Sequence, residues 1–360
     1  MLSTDAAAAR ERDNVAMDDV RVISPVPRDI WWKLVESDPT CFPFQTPTGI
    51  DAICAAFNSC DESRLYEFPD GRQILLPLYR NRYLPRRLSI LMTPKTGGPL
   101  SDRPISNNDL RLILDDVARL PFLRQEIRPT AIQADQWVEV APRSATSVEC
   151  CSHVIDLDGG FSTVWKERFN GQARRGVRKA EKAGLKIEEG SAAEMLDPYY
   201  GLLERSVDRW ARDRGQPVAL ARWRARKTNS MTILKRNFGT MGDACRMWLA
   251  YLDGKPAAGI IVLFGHNAHY TRGAMDIELA GPSRASFLLQ KVAIEDACNR
   301  GCRYYNMGES GSSENLARFK KHFGATESRY PEYRFEHIPL SKWETQLRGK
   351  VKSVLASRKG

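Results

Sequence analysis

Long apolar runs are missing from this 360-residue chain. The longest, Pro256 to Gly265, is about half of what a bilayer crossing needs. Residues 1–20 mix acids with arginines and hold no apolar stretch of the kind a signal peptide requires, so a tail without fixed structure on a cytoplasmic protein is expected. Histidine is scarce: the five residues have no metal-ligand spacing. The eight cysteines lack paired C-x-x-C spacings; Cys150 and Cys151 are adjacent, while Cys298 and Cys302 stand four apart with no His or second pair to complete a zinc set. Most read as small buried apolar residues. Also absent are the G-x-S-x-G nucleophile elbow, the H-E-x-x-H zinc helix, the phosphate-cradling G-x-x-x-x-G-K-S/T loop and the dinucleotide fingerprint G-x-G-x-x-G. Any chemistry is therefore expected to rest on positioning and electrostatics, without a metal or a covalent nucleophile.

What is present is the balance of a globular protein, 42% hydrophobic and 27% charged, at a length that suits two ordinary domains. The formal charge of +10 favours acidic partners: phosphates, nucleic acid or an anionic lipid surface.

One phrase occurs twice. Leu65 to Arg80 and Trp248 to Phe264 each read as strand, Asp-Gly, strand, at Asp70-Gly71 and Asp253-Gly254. Asp-Gly tolerates the positive φ angles of a tight hairpin, so two related halves are expected. In the first half, helices are predicted at 29–36, 49–57 and 109–120, and strands at 65–68, 72–80, 88–92 and 131–140. Residues 94–104 form a Gly/Pro-rich loop and 142–151 a passage between halves. In the second, strand 153–157 and helix 162–169 precede a basic helix ended by Gly184. A strand at 185–189 follows, then a helix opened by Asp197-Pro198, a three-stranded meander, a loop at 276–282 and a helix at 283–300. Ser341 and Glu344 form a capping box for a final basic helix. The domain boundaries expected are 1–20, 21–150, 151–340 and 341–360.

Two basic segments invite a phosphate. Arg174, Arg178 and Lys182 recur every four residues on one helix face, with Arg175 and Lys179 beside them; a solvated face would look the same. Arg205 to Arg236 holds eight arginines and two lysines, with Trp210 and Trp223 interleaved. Basic and aromatic residues together can hold nucleic acid, although such tryptophans also serve as core. Finally, Gly301 to Gly324 reads as a short strand, a Gly/Ser turn, and a helix ending Phe319-Lys320-Lys321-His322-Phe323-Gly324. A cation between two aromatics beside exposed amides suits developing negative charge. The same i, i+4 phenylalanines also suit a helix packing on a core.

The order of these elements, with R-x-x-V-R-K-A-E-K-A-G at Arg174–Gly184 and F-K-x-x-F-G at Phe319–Gly324, resembles the FemAB-like branch of the GNAT acyltransferase superfamily, with BioF2-like acetyltransferases nearest. Tyr305-Asn306-Met307-Gly308 is similar to that branch's Y-D-x-G, with Asn306 in place of the acid. The resemblance implies an α/β (α+β) protein of two tandem GNAT-like domains, each a mixed, mostly antiparallel sheet flanked by helices. It implies metal-free acyl or aminoacyl transfer to an amine. Lys320 would stabilise the transferring carbonyl, Phe319 would shape the pocket, and Arg174, with Arg175, Arg178 and Lys179, would meet phosphates. A CoA donor would sit where this chain has Asp276 to Ala285, a poor match to the usual glycine-rich loop; Gly281, Ser283, Arg284 and Ser286 could still make an anion site there. Glu309 is the first candidate for a general base and Asp276 the second.

The expected function is transfer from acyl-CoA to an amine of a cell-envelope or exopolysaccharide precursor. The rivals are an aminoacyl-tRNA-dependent transferase acting on a peptidoglycan precursor, and a non-catalytic nucleic-acid or anionic-membrane binding protein. Peripheral membrane contact fits the charge.

Overall fold

The computed structural model describes residues 17–311, 313–338 and 340. Most of the expected N-terminal tail and the helix expected after Ser341 lie outside them, and Met17–Asp19 already forms a 3₁₀ turn.

The first half holds eight short strands: β1 (Arg21–Ile23), β2 (Ser59–Asp61), β3 (Arg64–Glu67), β4 (Gln73–Leu76), β5 (Tyr79–Asn81), β6 (Ile90–Met92), β7 (Leu100–Ser101) and β8 (Arg124–Ile127). Its helices are α1 (Arg28–Ser37), α2 (Pro47–Phe57), α3 (Asn107–Arg119) and α4 (Ala134–Glu139). Leu110, Ile113, Leu114 and Val117 recur at helical spacing on α3 and are all buried, behind a Ser106–Asp109 capping box. Two expectations need correction. The strand predicted at 72–80 is broken at Pro77, which has no N–H for a ladder, and its pieces β4 and β5 join different sheets. The strand predicted at 131–140 is instead a 3₁₀ turn and α4, because Ala131, Ala134, Trp137 and Val140 are buried every third residue.

The second half holds β9 (Thr146–Asp156), β10 (Lys186–Ser191), β11 (Cys245–Leu252), β12 (Lys255–Phe264), β13 (Ala268–Met275), β14 (Tyr304–Asn306) and β15 (Thr326–Glu336). Its helices are α5 (Gly160–Thr163), α6 (Gly171–Glu181), α7 (Leu196–Asp213), α8 (Val218–Asn229), α9 (Met231–Met241), α10 (Ile277–Ser283), α11 (Ala285–Asn299) and α12 (Glu314–His322). The loop predicted at 276–282 is therefore mostly helical, and the helix after it starts at Ala285. Asp253 and Gly254 both take positive φ in the β11–β12 hairpin, as Asp-Gly allows.

Eleven strands share one sheet, ordered β10-β11-β12-β13-β14-β9-β15-β8-β6-β5-β2, and β1-β3-β4-β7 form a second. The apolar run 256–265 is explained by β12, which is covered on both faces. Ile260 and Val262 pack with Val177 of α6 and Leu289 of α11; Ile261 and Leu263 pack with Leu202 of α7 and Phe238 of α9. β15 joins the halves, pairing with β9 over Thr326–Arg334 and with β8 over Tyr333–Glu336. A second joint is Asn267, fully buried. Its amide donates to Pro39 O (2.8 Å) and Cys41 O (3.0 Å), and its oxygen accepts from Tyr304 N (2.8 Å). Among the described residues no helix is long and apolar enough to cross a membrane.

Candidate functional site

β13 and β14 run parallel but pair only at Ala268–Tyr305 and His269–Asn306, after which they separate. β13 also bulges against β12: Ile261 pairs with Arg272 and Val262 with Tyr270, so Thr271 is extra. A bulge at the mouth of a widening gap leaves backbone groups off the ladder, a common arrangement beside a site. β14 ends in a tight turn. Asn306 Oδ1 accepts from Gly308 N (2.7 Å) and Ser152 Oγ (2.8 Å), and Gly308 and Gly311 take positive φ. Asn306 needs only to accept here, and a neutral amide does so without burying a charge.

The turn feeds α12, capped by Ser313, whose hydroxyl accepts from Leu316 N. Phe323 is fully buried, edge-on to Phe169 at 5.1 Å; Phe319 lies 5.1 Å from Phe287. Both phenylalanines thus pack as core. Lys320 between them does not fit that account. Its side chain is 1% exposed, and its ammonium donates to Gly308 O and Glu309 O, both at 2.8 Å. Burial pulls its pKa down to about 8, against the attraction of Cys151 and Glu309, which raise it. A buried ammonium held by carbonyl oxygens alone is costly to the fold and marks a candidate functional group.

Beside this turn lies an open groove of about 720 Å³, lined among others by Cys151, His153, Glu309, Ser310, Arg318 and Lys321. Glu309 is half open to it, and its carboxylate is bound by Arg128 of the first half, which also donates to Glu332 through Nε (2.9 Å). His153, on β9, is 1% exposed, with Nδ1 3.4 Å from Ser310 Oγ and Nε2 4.0 Å from Glu327. Burial, then the charge of Lys320, lowers its pKa, so it is neutral at pH 7. His269, on β13, is driven down to about 3 by burial, with Lys95 and Lys320 adding to it. Lys95 comes from the Gly/Pro-rich loop, so the first half reaches this centre twice. Sequence reading missed Arg128, Lys95 and His153. Only His153 left a signal, as a rare histidine beside the cysteine pair.

The basic helix divides. Arg174 turns inward, its Nη1 donating to the carbonyls of Trp165, Lys166 and Phe169 at the end of the preceding helix. Its expected phosphate role thus meets a guanidinium already engaged. Arg175, Arg178 and Lys179 stay exposed on α6. In the donor set, Gly281 and Ser283 lie inside α10, and Ser283 Oγ bonds Leu279 O (2.6 Å). Ser286 Oγ sits 3.8 Å from Met275 Sδ. Arg284 is exposed in the left-handed conformation at the N-cap of α11, its guanidinium 6.0 Å from the Phe287 ring. Asp276 caps α10 and pairs with Arg205. Phe287 links the two groups, because its ring also lies against Gly176 of α6, where a Cβ would come within 2.7 Å of it. The structure thus brings Arg284, the buried face of α6 and the Lys320 helix around one aromatic ring. Among the described residues no cluster could hold a metal ion.

The fold is mixed α/β, with a parallel pair that parts after two residues. Residues 167–321 match the family model described as an Acetyltransferase (GNAT) domain, so the second half carries that domain and with it an N-acyltransferase. The fold is similar to that of FemX, at 12% identity and a TM-score of 0.64, over 90% of this chain and 99% of that one. It is also similar to a conserved protein of unknown function from Bacteroides thetaiotaomicron, at 10% identity and a TM-score of 0.52, over 86% and 97%. No curated protein matches the chain.

Proposed function

We propose that the protein transfers an acyl group from acyl-CoA to an amine of a cell-envelope or exopolysaccharide precursor, with the reacting groups in the second half. The observation that carries this reading is Lys320, a buried ammonium at the root of the turn where β13 and β14 part. The thioester lies in that gap, its phosphates toward the α11 N-terminus, Arg284 and the exposed cations of α6. The amine attacks the thioester carbonyl, and charge builds on its oxygen. Lys320 lowers the energy of that oxyanion, directly or by fixing the turn whose amides face it. Glu309, oriented by Arg128, takes the proton of the attacking nitrogen from the groove side, and the CoA thiolate leaves. Asp276 drops behind Glu309 as a base, since it is engaged as a helix cap.

The test is the melting temperature of the purified protein with a panel of CoA thioesters and free CoA. Binding at a hundred times Kd stabilises the folded state by about 2.7 kcal/mol. Arg284→Ala is expected to remove that shift, and Lys320→Ala to remove turnover while keeping it. Full turnover in Lys320→Ala sinks the assigned role. Absence of any thioester shift, with activity sensitive to RNase, moves the donor to aminoacyl-tRNA.

A further inference from the structure

The cationic segment 205–236 plays no part in the chemistry above. Within the segment its ten arginines and lysines are accompanied by only two acids, Asp208 and Asp213, while Arg205 and Lys235 pair outside it with Asp276 and Asp197. Asp208 is already taken by Arg222, which donates through Nε at 2.7 Å and pins α8 against α7. α8 has no buried residue at all. Its half-buried positions, Val218, Ala221, Ala225 and Asn229, follow helical spacing and face α7 and α9. The opposite stripe is Leu220, Trp223, Arg224 and Lys227, at i, i+3, i+4 and i+7, with Arg226 beside it. Leu220 is 38% exposed and Trp223 55%. Water is a poor solvent for that pair, and nothing within the described chain covers them.

We propose that the outer face of α8 is a docking surface for an anionic lipid bilayer. A helix that lies in the headgroup layer presents this mixture: an aliphatic and an indole side chain to enter the acyl boundary, with arginine and lysine to meet lipid phosphates. A nucleic acid has no use for an outward leucine. The Trp223 ring is covered on one side by Lys227 Nζ, 3.7 Å from its centre, and the surface is the convex back of a helix rather than a groove for single strands. A second copy of this face would repel it. So would residues 341–360, with six cations and one acid.

The experiment is co-sedimentation of the full chain with phosphatidylcholine vesicles, with and without phosphatidylglycerol, at low and high salt. Retention is expected on the anionic vesicles alone and is lost in high salt. Leu220→Ser with Trp223→Ser weakens it by about a hundredfold, the effect of withdrawing two apolar side chains from the interface. Arg224→Glu with Lys227→Glu abolishes it. Both variants keep the wild-type melting temperature, because the altered side chains point outward. The inference is overturned if anionic vesicles do not retain the protein, or if the apolar double variant binds as well as wild type. It is also overturned if duplex RNA binds more tightly than vesicles and displaces them, which assigns the face to nucleic acid.

Discussion

Lys320→Met separates what the buried ammonium does for the reaction from what it costs the fold. The unfolded chain holds the lysine proton up to pH 10.5, whereas burial makes the folded protein release it at about 8. Between those values the unfolded state binds more protons, so this group makes stability rise with pH across the window and leaves it flat below. A shift of that size amounts to about 3 kcal/mol, a sizeable fraction of a domain's stability. Methionine has no such proton. At neutral pH the variant loses donors to Gly308 O and Glu309 O, at about 1–3 kcal/mol each, and gains relief from burying a charge, so its stability is expected near that of wild type. Urea unfolding followed by tryptophan fluorescence at several pH values measures the difference between the two proteins. Groups common to both cancel in it. Wild type should gain about 3 kcal/mol on the variant from pH 8 to 10.5, while turnover of the variant is down by about a hundredfold or more below pH 8. Parallel stability profiles would refute the claim that Lys320 is a desolvated cation. Undiminished turnover would refute its part in the reaction.

If the charge of Lys320 supports the oxyanion, the rate of acyl transfer in wild type should fall about tenfold per unit above pH 8 as that charge is lost; a flat kcat profile to pH 10 contradicts this. Gly176→Ala sets a Cβ 2.7 Å from the Phe287 ring and should destabilise by about 1–3 kcal/mol, with a smaller CoA-induced melting shift. Thermal melts with and without ligand read both. Asn267→Ala strips two hydrogen bonds between the halves and a third, to Tyr304 N, within the second, and should cost about 3 kcal/mol in urea unfolding; an effect under about 1 kcal/mol would mean that the halves are held elsewhere.

Local signals reached as far as local physics does. The Asp253-Gly254 hairpin, the amphipathic stripe of α3 and the stop at Gly184 are each decided within a dozen residues, and each stands where the sequence put it. Residues 131–140 are helical instead of extended, since their buried residues Ala131, Ala134, Trp137 and Val140 follow a three-residue period and not the two-residue period of a strand. The site divides the same way. The strand, turn and basic helix around Lys320 were legible, including the tension between a core helix and a charged one; both hold, since the phenylalanines pack and the lysine is buried with them. The tie from Arg128 to Glu309 and the charge of Lys95 felt at His269 were not legible, because chain segments about two hundred residues apart meet only after the central sheet forms.

That central sheet sets the order in which a nascent chain can finish. β8 and β9 both face the slot that β15 fills, and β15 is the last strand described. A ribosome adding 5–20 residues per second leaves the open edges of β8 and β9 waiting roughly ten to thirty seconds for their partner. Two unpaired edges on a half-built protein are sticky, and contacts of such long range form slowly. The chain should therefore lean on chaperones that bind extended segments, and truncations that remove β15 should collect in aggregates rather than as folded halves.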